Sequence, residues 1–534
     1  MKKFSSKIAI WFVPALLLLM GSLASCNPDD EEEQSQLSRM FMPTGTITST
    51  SGESQVRLSW REALNVAGNI TYTVEVAADT LFQTPVIYTG TTDTTSIVIT
   101  DDNIPVRQKF FARIKTNARG NVPESRWLVS NGFTIRGVQI FVNTPVSTQD
   151  ITDRSVRLRF NSRPGVSKVV VTPAGGTSRE VSITQSHLTA GFVIVDGLVA
   201  GTNYTAEIFA GNKSFGVTTF QTKEPLSGNI IDLRGIVGRP SVLQDTITQV
   251  PTGSTIILKR GQTYTISSTT NLSKSVTITS GTDLTEPNLA AIYLTSNFNV
   301  VAGSNIDQIV FRDVNMSSDN ATSKYVFNIS NASTIGNMVF DNVQASKFRG
   351  IVRLQSSPTT ITNFTVNNSV IDSIGSYGVI NVDVATSQVQ NIAIKNSTIF
   401  KAERIVTSRN NSTTVLLENL TINEAPTSGA YLVDYSTSSA NNVSGGITIR
   451  NSILGIGKSG NLTIRGVRAN ASTLVQVVGT YATSDHVETG NPTPDLTSYN
   501  GTSLELWQDP KNGNFRFKDA NFAGKATAGD PRWR

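Results

Sequence analysis

Six short runs in the C-terminal half constrain this chain more than any other feature. They read FRDVNM from Phe311, FDNVQA from Phe340, VNNSVI from Val366, IKNSTI from Ile394, LENLTI from Leu417 and IRNSIL from Ile449. Each has an apolar residue, any residue, Asn or Asp, then a small or aliphatic residue. The third positions are Asp313, Asn342, Asn368, Asn396, Asn419 and Asn451, in steps of 29, 26, 28, 23 and 32 residues. A period in this range, carried by β-branched residues and turn formers, marks a solenoid with one coil per repeat. Asn tolerates the left-handed backbone of a tight corner. Stacked on successive coils, its amides can exchange hydrogen bonds along the axis. The reading is a right-handed parallel β-helix with an asparagine ladder.

At 534 residues the chain is too long for one ordinary core. Lys2, Lys3 and Lys7 precede an apolar run from Ile8 to Met20, a targeting pattern too short for an ordinary membrane span. The run ends in Leu23-Ala24-Ser25-Cys26, which resembles a bacterial lipobox with Cys26 as the lipidated residue. The acidic stretch NPDDEEE that follows reads as a solvated tether over 27–40. It is similar to the export tag of Bacteroides-type surface lipoproteins, which implies the outer face of the outer membrane. Cys26 is the only cysteine, so no intramolecular disulfide forms. Without the three leader lysines, 45 basic residues become 42 against 40 acidic ones, no footprint for nucleic acid.

From 41 to 137 the chain alternates as short antiparallel strands: VRLSW at Val56, YTVEVA at Tyr72, SIVIT at Ser96, KFFARI at Lys109 and a run near Trp127. This resembles a fibronectin type III domain with Trp60 in its core and Phe110 where the family has a corner tyrosine. A second unit, 138–224, has VRLRF at Val156, KVVVTP at Lys168, FVIVDGL at Phe192 and NYTAEIFA after Leu198. There Tyr204 stands at the corner position, with Ala200 replacing the family's proline. The fold class is therefore all-β: two fibronectin type III-like β-sandwiches (41–137, 138–224) behind a signal peptide (1–26), followed by the β-helix (225–534).

The β-helix opens with a segment resembling the start of pectate-lyase-like helices, where a cap leads into a motif carried here by Gly253, Ile256, Leu258, Gly261 and Tyr264. The terminal NGNFRFKDANFAGKATAGDPRW also resembles that group, in which a final hairpin and loop close the last coil. Together these resemble the pectate-lyase-like modules found behind fibronectin-type domains in Bacteroides-type lipoproteins.

After each ladder motif a second strand follows: YVFNIS at Tyr325, GIVRLQ at Gly350, GVINVD at Gly378, RIVTSR at Arg404 and YLVDYS at Tyr431. Alternation points the fourth and sixth positions to one outer surface, and the residue before each strand joins them. The second position is aliphatic, which requires a bulge or partial cover. The candidate binding residues on this stripe are Lys324, Arg349, Arg353, Tyr377, Asn381, Asp383, Arg404, Arg409 and Asp434. With coils about 4.8 Å apart, the arginines can meet successive charges of an acidic polymer, since a guanidinium matches a carboxylate bidentately. In the resembled helices the groove runs along such a face.

No catalytic residue is assigned. A lyase would need calcium, held by clustered carboxylates, and only Asp383, Asp434 and Glu403 offer themselves; otherwise no cofactor or metal is expected. His187 reads as a loop residue and His486, beside Asp485, as a surface one. The function expected is a surface polysaccharide-binding lipoprotein, for pectic or other acidic glycans, working beside glycan transporter proteins. The alternatives are a lyase or hydrolase on the same polymer, and a structural or adhesive surface protein.

Overall fold

The computed structural model describes residues 38–64, 68–83, 85–225, 227–356, 358–435, 441–458 and 463–534. The signal peptide, Cys26 and most of the acidic tether lie outside them. No described helix is long and apolar enough to cross a membrane. Contacts divide the chain into two compact units, one ending at Gln139 and taking in Lys213–Gly216, the other comprising Ile140–Asn212 and Val217–Arg534.

Among the described residues seven strands build the first sandwich. Thr44–Ser51, Gln55–Arg61 and Ser96–Thr100 form one sheet; Tyr88–Thr92, Tyr72–Ala77, Phe111–Thr116 and Leu128–Val129 form the other. Val56, Leu58, Val74, Val76, Ala112 and Ile114 alternate inward and are fully buried, as half-buried sheets require. Trp60 packs edge-on against Tyr72 at 5.3 Å in this core, and Phe110 is buried beside Phe133. The topology is fibronectin type III-like.

The second sandwich pairs Arg179–Ser182, Val166–Pro173, Asn203–Ala210 and Lys213–Gln221 in one sheet and Phe192–Val195 with Val156–Arg159 in the other. The Tyr204 hydroxyl accepts a hydrogen bond from the Val199 N–H at 2.9 Å, so the corner forms without the proline. His187 is no loop residue. It sits in the first turn of a helix, Gln185–Ala190, where its Nδ1 accepts from the Thr184 N–H while the Thr184 hydroxyl accepts from the His187 N–H. This capping box reads S/T-x-x-H rather than the familiar S/T-x-x-E, which hid the helix in the sequence.

The solenoid has about nine coils and three walls of parallel strands. Wall one includes Ser254–Leu258, Val276–Ser280, Thr359–Asn367, Gln388–Lys395, Thr414–Glu418 and Ile447–Arg450. Wall two includes Thr263–Ile266, Ala290–Leu294, Thr398–Ala402, Thr421–Asn423 and Ile453–Leu454. Wall three includes Thr270–Leu272, Phe298–Val300, Tyr325–Ile329, Val406–Ser408, Tyr431–Asp434 and Arg465–Arg468. Long strands such as Ser333–Leu354 run through all three. At one end Leu233 and the helix Val242–Ile247 bury Val242, Leu243 and Ile247 against the first coils, covering an apolar end. Tyr264 is fully buried and accepts from the Lys259 N–H at 2.9 Å.

All six ladder residues lie at the wall one–wall two corner with φ between +48° and +54°. The strand registers on either side superpose them coil on coil. Their amide bonding is less uniform than expected. Asn342 Nδ2 donates to Asp313 Oδ1 at 2.6 Å and Asn419 to Asn396 at 2.8 Å, but Asn396 donates to Asn367, one residue short of Asn368. The Asn368 oxygen is instead taken by Arg532 Nη2 at 3.1 Å. The residue after the corner adds a second device. The hydroxyls of Ser369, Ser397 and Ser452, all fully buried, accept the N–H of Val343, Ser369 and Leu420 one coil back.

The terminal hairpin forms as Trp507–Asp509 paired with Asn514–Phe517. It covers the side of the solenoid rather than closing the last coil. Trp507, Phe515 and Phe522 pack with Phe400 and Ile453, which face outward from wall two. The final residues then follow the ladder corner: Asp530 accepts from Thr398 Oγ1 at 2.7 Å, and Arg534 donates to Asn419 Oδ1 at 3.2 Å.

Candidate functional site

Wall three gathers the outward positions. Asn328, Arg353, Asn381, Thr407, Asp434 and Arg468 pair coil to coil in one column. Behind them Val326, Ile351, Val379, Ile405 and Leu432 are fully buried together with Phe327, Val352, Ile380, Val406 and Val433. Two consecutive residues can face the core because the strand bulges at the corner. The N–H groups of Val379 and Ile380 both donate to Ile405 O, at 3.0 and 3.1 Å.

Two aromatic stations carry the cations. Gly350 leaves the space for the first: a Cβ there would stand 2.7 Å from Tyr377 Cβ and 3.3 Å from the Tyr325 ring. The two rings meet edge to face at 5.5 Å. The Arg353 guanidinium lies 4.2 Å from the Tyr377 ring centroid and Arg349 lies 4.6 Å from it. At the second station Arg468 and Arg465 stand 4.2 and 5.2 Å from the Tyr431 ring. Burial pushes the Tyr325 hydroxyl above its ordinary pKa, against the pull of Arg353 and Arg349.

Each aspartate on the stripe is shared by two arginines. Asp383 meets Arg353 Nη2 at 2.6 Å and Arg409 Nη2 at 3.6 Å; Asp434 meets Arg468 at 2.7 Å and Arg404 at 3.8 Å. Asp434 is buried, with its side chain 6% exposed. Exposure separates the arginines by role. Arg353 is 15% exposed and locks Tyr377 to Asp383, whereas Arg404 at 39% and Arg409 at 60% face solvent. Lys324 and Arg349 adjoin through the Arg349 N–H, which donates to Lys324 O at 2.6 Å. Asn381 is only 5% exposed, and its Oδ1, like that of Asn328, is buried without a hydrogen-bond partner.

The stripe thus holds seven cations (Lys324, Arg349, Arg353, Arg404, Arg409, Arg465, Arg468) against Asp383, Asp434 and Glu403, and Glu403 is itself paired with Lys458 at 3.2 Å. Tyr325, Asn328, Arg465 and Arg468 belong to the site although the sequence reading did not select them. The run RGVR at Arg465 repeats the fourth-position column and could have been aligned as a sixth strand. Calcium does not suit these carboxylates, which are committed to guanidinium groups or, for Glu403, to the Lys458 ammonium, because it takes six to eight oxygen ligands. Among the described residues no cluster of three or more His, Cys, Asp or Glu could hold a metal ion.

His486 is not a surface residue. Its side chain is 3% exposed, with Nδ1 2.9 Å from Gly455 O and Nε2 3.0 Å from Glu488 Oε1. Glu488 also accepts from Thr493 N at 2.6 Å and from its hydroxyl at 2.9 Å. Burial pushes the Glu488 carboxyl up, but His486 and Thr493 outweigh it and hold it below the ordinary range. The cluster pins a loop.

Residues 262–402 match a domain of unknown function (DUF4957), and residues 415–533 match a second one (DUF5123). No curated protein matches the chain. Among solved structures the chain is similar to a crystal structure of chicken CNTN1 FN1–FN3 domains, at 11% identity over 35% of this chain and 66% of that one, with a TM-score of 0.14. It is also similar to a two fibronectin type III domain segment from chicken tenascin, at 17% identity over 34% and 97%, with a TM-score of 0.17. Strand pairing, rather than these likenesses, defines the sandwiches.

Proposed function

We propose that wall three is a binding face for an acidic polysaccharide of the pectic type. The observation that carries this reading is the surplus of guanidinium groups over carboxylates on a wall where the Tyr377 ring is also partly exposed. Each aspartate divides its charge between two arginines, so Arg404 and Arg409 keep unsatisfied capacity for a carboxylate ligand. On this reading Arg353 positions Tyr377, while Arg404 and Arg409 touch the polymer.

The same reading takes the chain as a lipoprotein of the Bacteroides surface type, anchored at Cys26 and handing glycan to transporter proteins. Labelling with a palmitate analogue, lost in Cys26→Ser, tests the anchor. Electrophoresis through gels containing polygalacturonate tests the binding face. The protein should be retarded, less so as salt is added, since exposed charges are screened. Arg404→Ala/Arg409→Ala should restore most of the mobility. Unchanged mobility against every acidic glycan would favour the adhesive alternative and overturn the proposal.

A further inference from the structure

Beside the wall two–wall three corner, wall two and the terminal hairpin enclose a cleft of about 450 Å³, within the range of small-molecule sites, roughly 300–1,000 Å³. Its polar floor is Asn423, 1% exposed, whose Oδ1 has no hydrogen-bond partner. Gly455 leaves room for that amide, because a Cβ there would lie 2.2 Å from the Asn423 oxygen and 3.0 Å from Ser503 Oγ. Beside it stands Glu424, which makes no side-chain hydrogen bond or ion pair among the described residues. Burial pushes the Glu424 carboxyl above its ordinary value, although Lys401 and Lys511 pull it down.

The available groups select the ligand. Two acceptors, the buried Asn423 oxygen and the half-buried Glu424 carboxylate, have no side-chain or backbone donor among the described residues, and a buried acceptor left unpaired is costly. An anion would meet Glu424 and Asp485, while a cation would meet Lys401 and Lys511. A neutral molecule rich in hydroxyls satisfies the acceptors without either conflict. Leu504, half exposed at the rim, and Ile456 supply apolar surface for a C–H face.

We propose that this cleft binds a single neutral hexopyranose unit, as a site independent of wall three. The test is saturation-transfer NMR on the full chain with the methyl pyranosides of galactose, glucose and mannose, and with sodium galacturonate. Magnetisation should pass to at least one neutral glycoside, with a Kd several-fold lower than that of the uronate when both are measured in Arg404→Ala/Arg409→Ala, which removes the wall-three contacts. Leu504→Trp, on an exposed side chain that does not hold the fold, should block the mouth and weaken binding at least fivefold. Glu424→Gln should weaken it too, and Arg409→Ala should leave it unchanged. No transfer to any neutral glycoside would overturn the proposal. So would an unaltered Kd in both Leu504→Trp and Glu424→Gln, or uronate binding as tight as the neutral sugars that persists in Arg404→Ala/Arg409→Ala and is lost in Leu504→Trp, which would place it in the cleft. Because the readout is insensitive to Arg409, failure here is distinguishable from failure of the wall-three reading.

Discussion

At the scale of single residues, the fold turns on which side chains accept a left-handed backbone. The asparagines were legible because residue type and conformation coincide: Asn is among the few non-glycine residues that visit this region routinely. A second left-handed column exists at the wall two–wall three corner, where Lys347, Ser373, Lys401 and Glu424 have φ between +46° and +61°. It was not legible, since lysine, serine and glutamate share no chemistry that predicts it. The two columns make opposite predictions. Asn396→Ala loses the amide bonds to Asn367 and Asn419 and strains the corner, and should cost about 2–4 kcal/mol in denaturant unfolding. Lys347→Asn should gain about 0.5–1 kcal/mol. Glu488 supplies a pH test. Its folded pKa lies below the ordinary 4.5, so the unfolded chain binds more protons between those two values. The stability it contributes is present above 4.5 and is lost as pH falls through the folded value. Glu488→Gln should flatten that part of the stability profile, read as the unfolding midpoint from about pH 6 to about pH 3.

At the scale of elements, strand registers on wall three were readable because core-facing positions repeat in every coil, and Phe327, Val352, Ile380, Val406 and Val433 do fall in register. The terminal hairpin's resting place was not readable. Its anchors, Thr398 for Asp530 and Asn368 for Arg532, are 132 and 164 residues away in the chain, and no local pattern encodes them. Inside the solenoid, Phe311, Phe340 and Phe364 follow one another along the axis, the first pair stacked at 5.7 Å and the second tilted at 6.1 Å. Phe340→Ala should therefore cost about 3–5 kcal/mol, because the coils above and below cannot close the space. Trp507→Ala acts on a different cluster, that between the hairpin and wall two. Amide exchange should speed in Thr398–Ala402 and in the terminal segment while Ser304–Ser318 keeps its protection; uniform loss across all coils would show that the hairpin is not a separate unit of stability.

At the scale of the whole molecule, the net charge says little, since 45 basic residues nearly balance 40 acidic ones, and the placement of charge says more. Parallel coils convert residues some 25–35 positions apart into neighbours, so arginines dispersed in sequence become a continuous stripe on wall three. That conversion was foreseeable from the ladder's period. The division of labour within the stripe was not, because it depends on which guanidinium groups the aspartates and tyrosines cover. The most direct test of the binding face is calorimetric titration of a defined oligogalacturonide into the full chain and into Arg404→Glu/Arg409→Glu, at low and high salt. Binding should be measurable in the parent chain at low salt, weaken as salt rises, and vanish on charge reversal. An equal Kd in parent and variant would show that the exposed arginines of wall three do not meet the polymer.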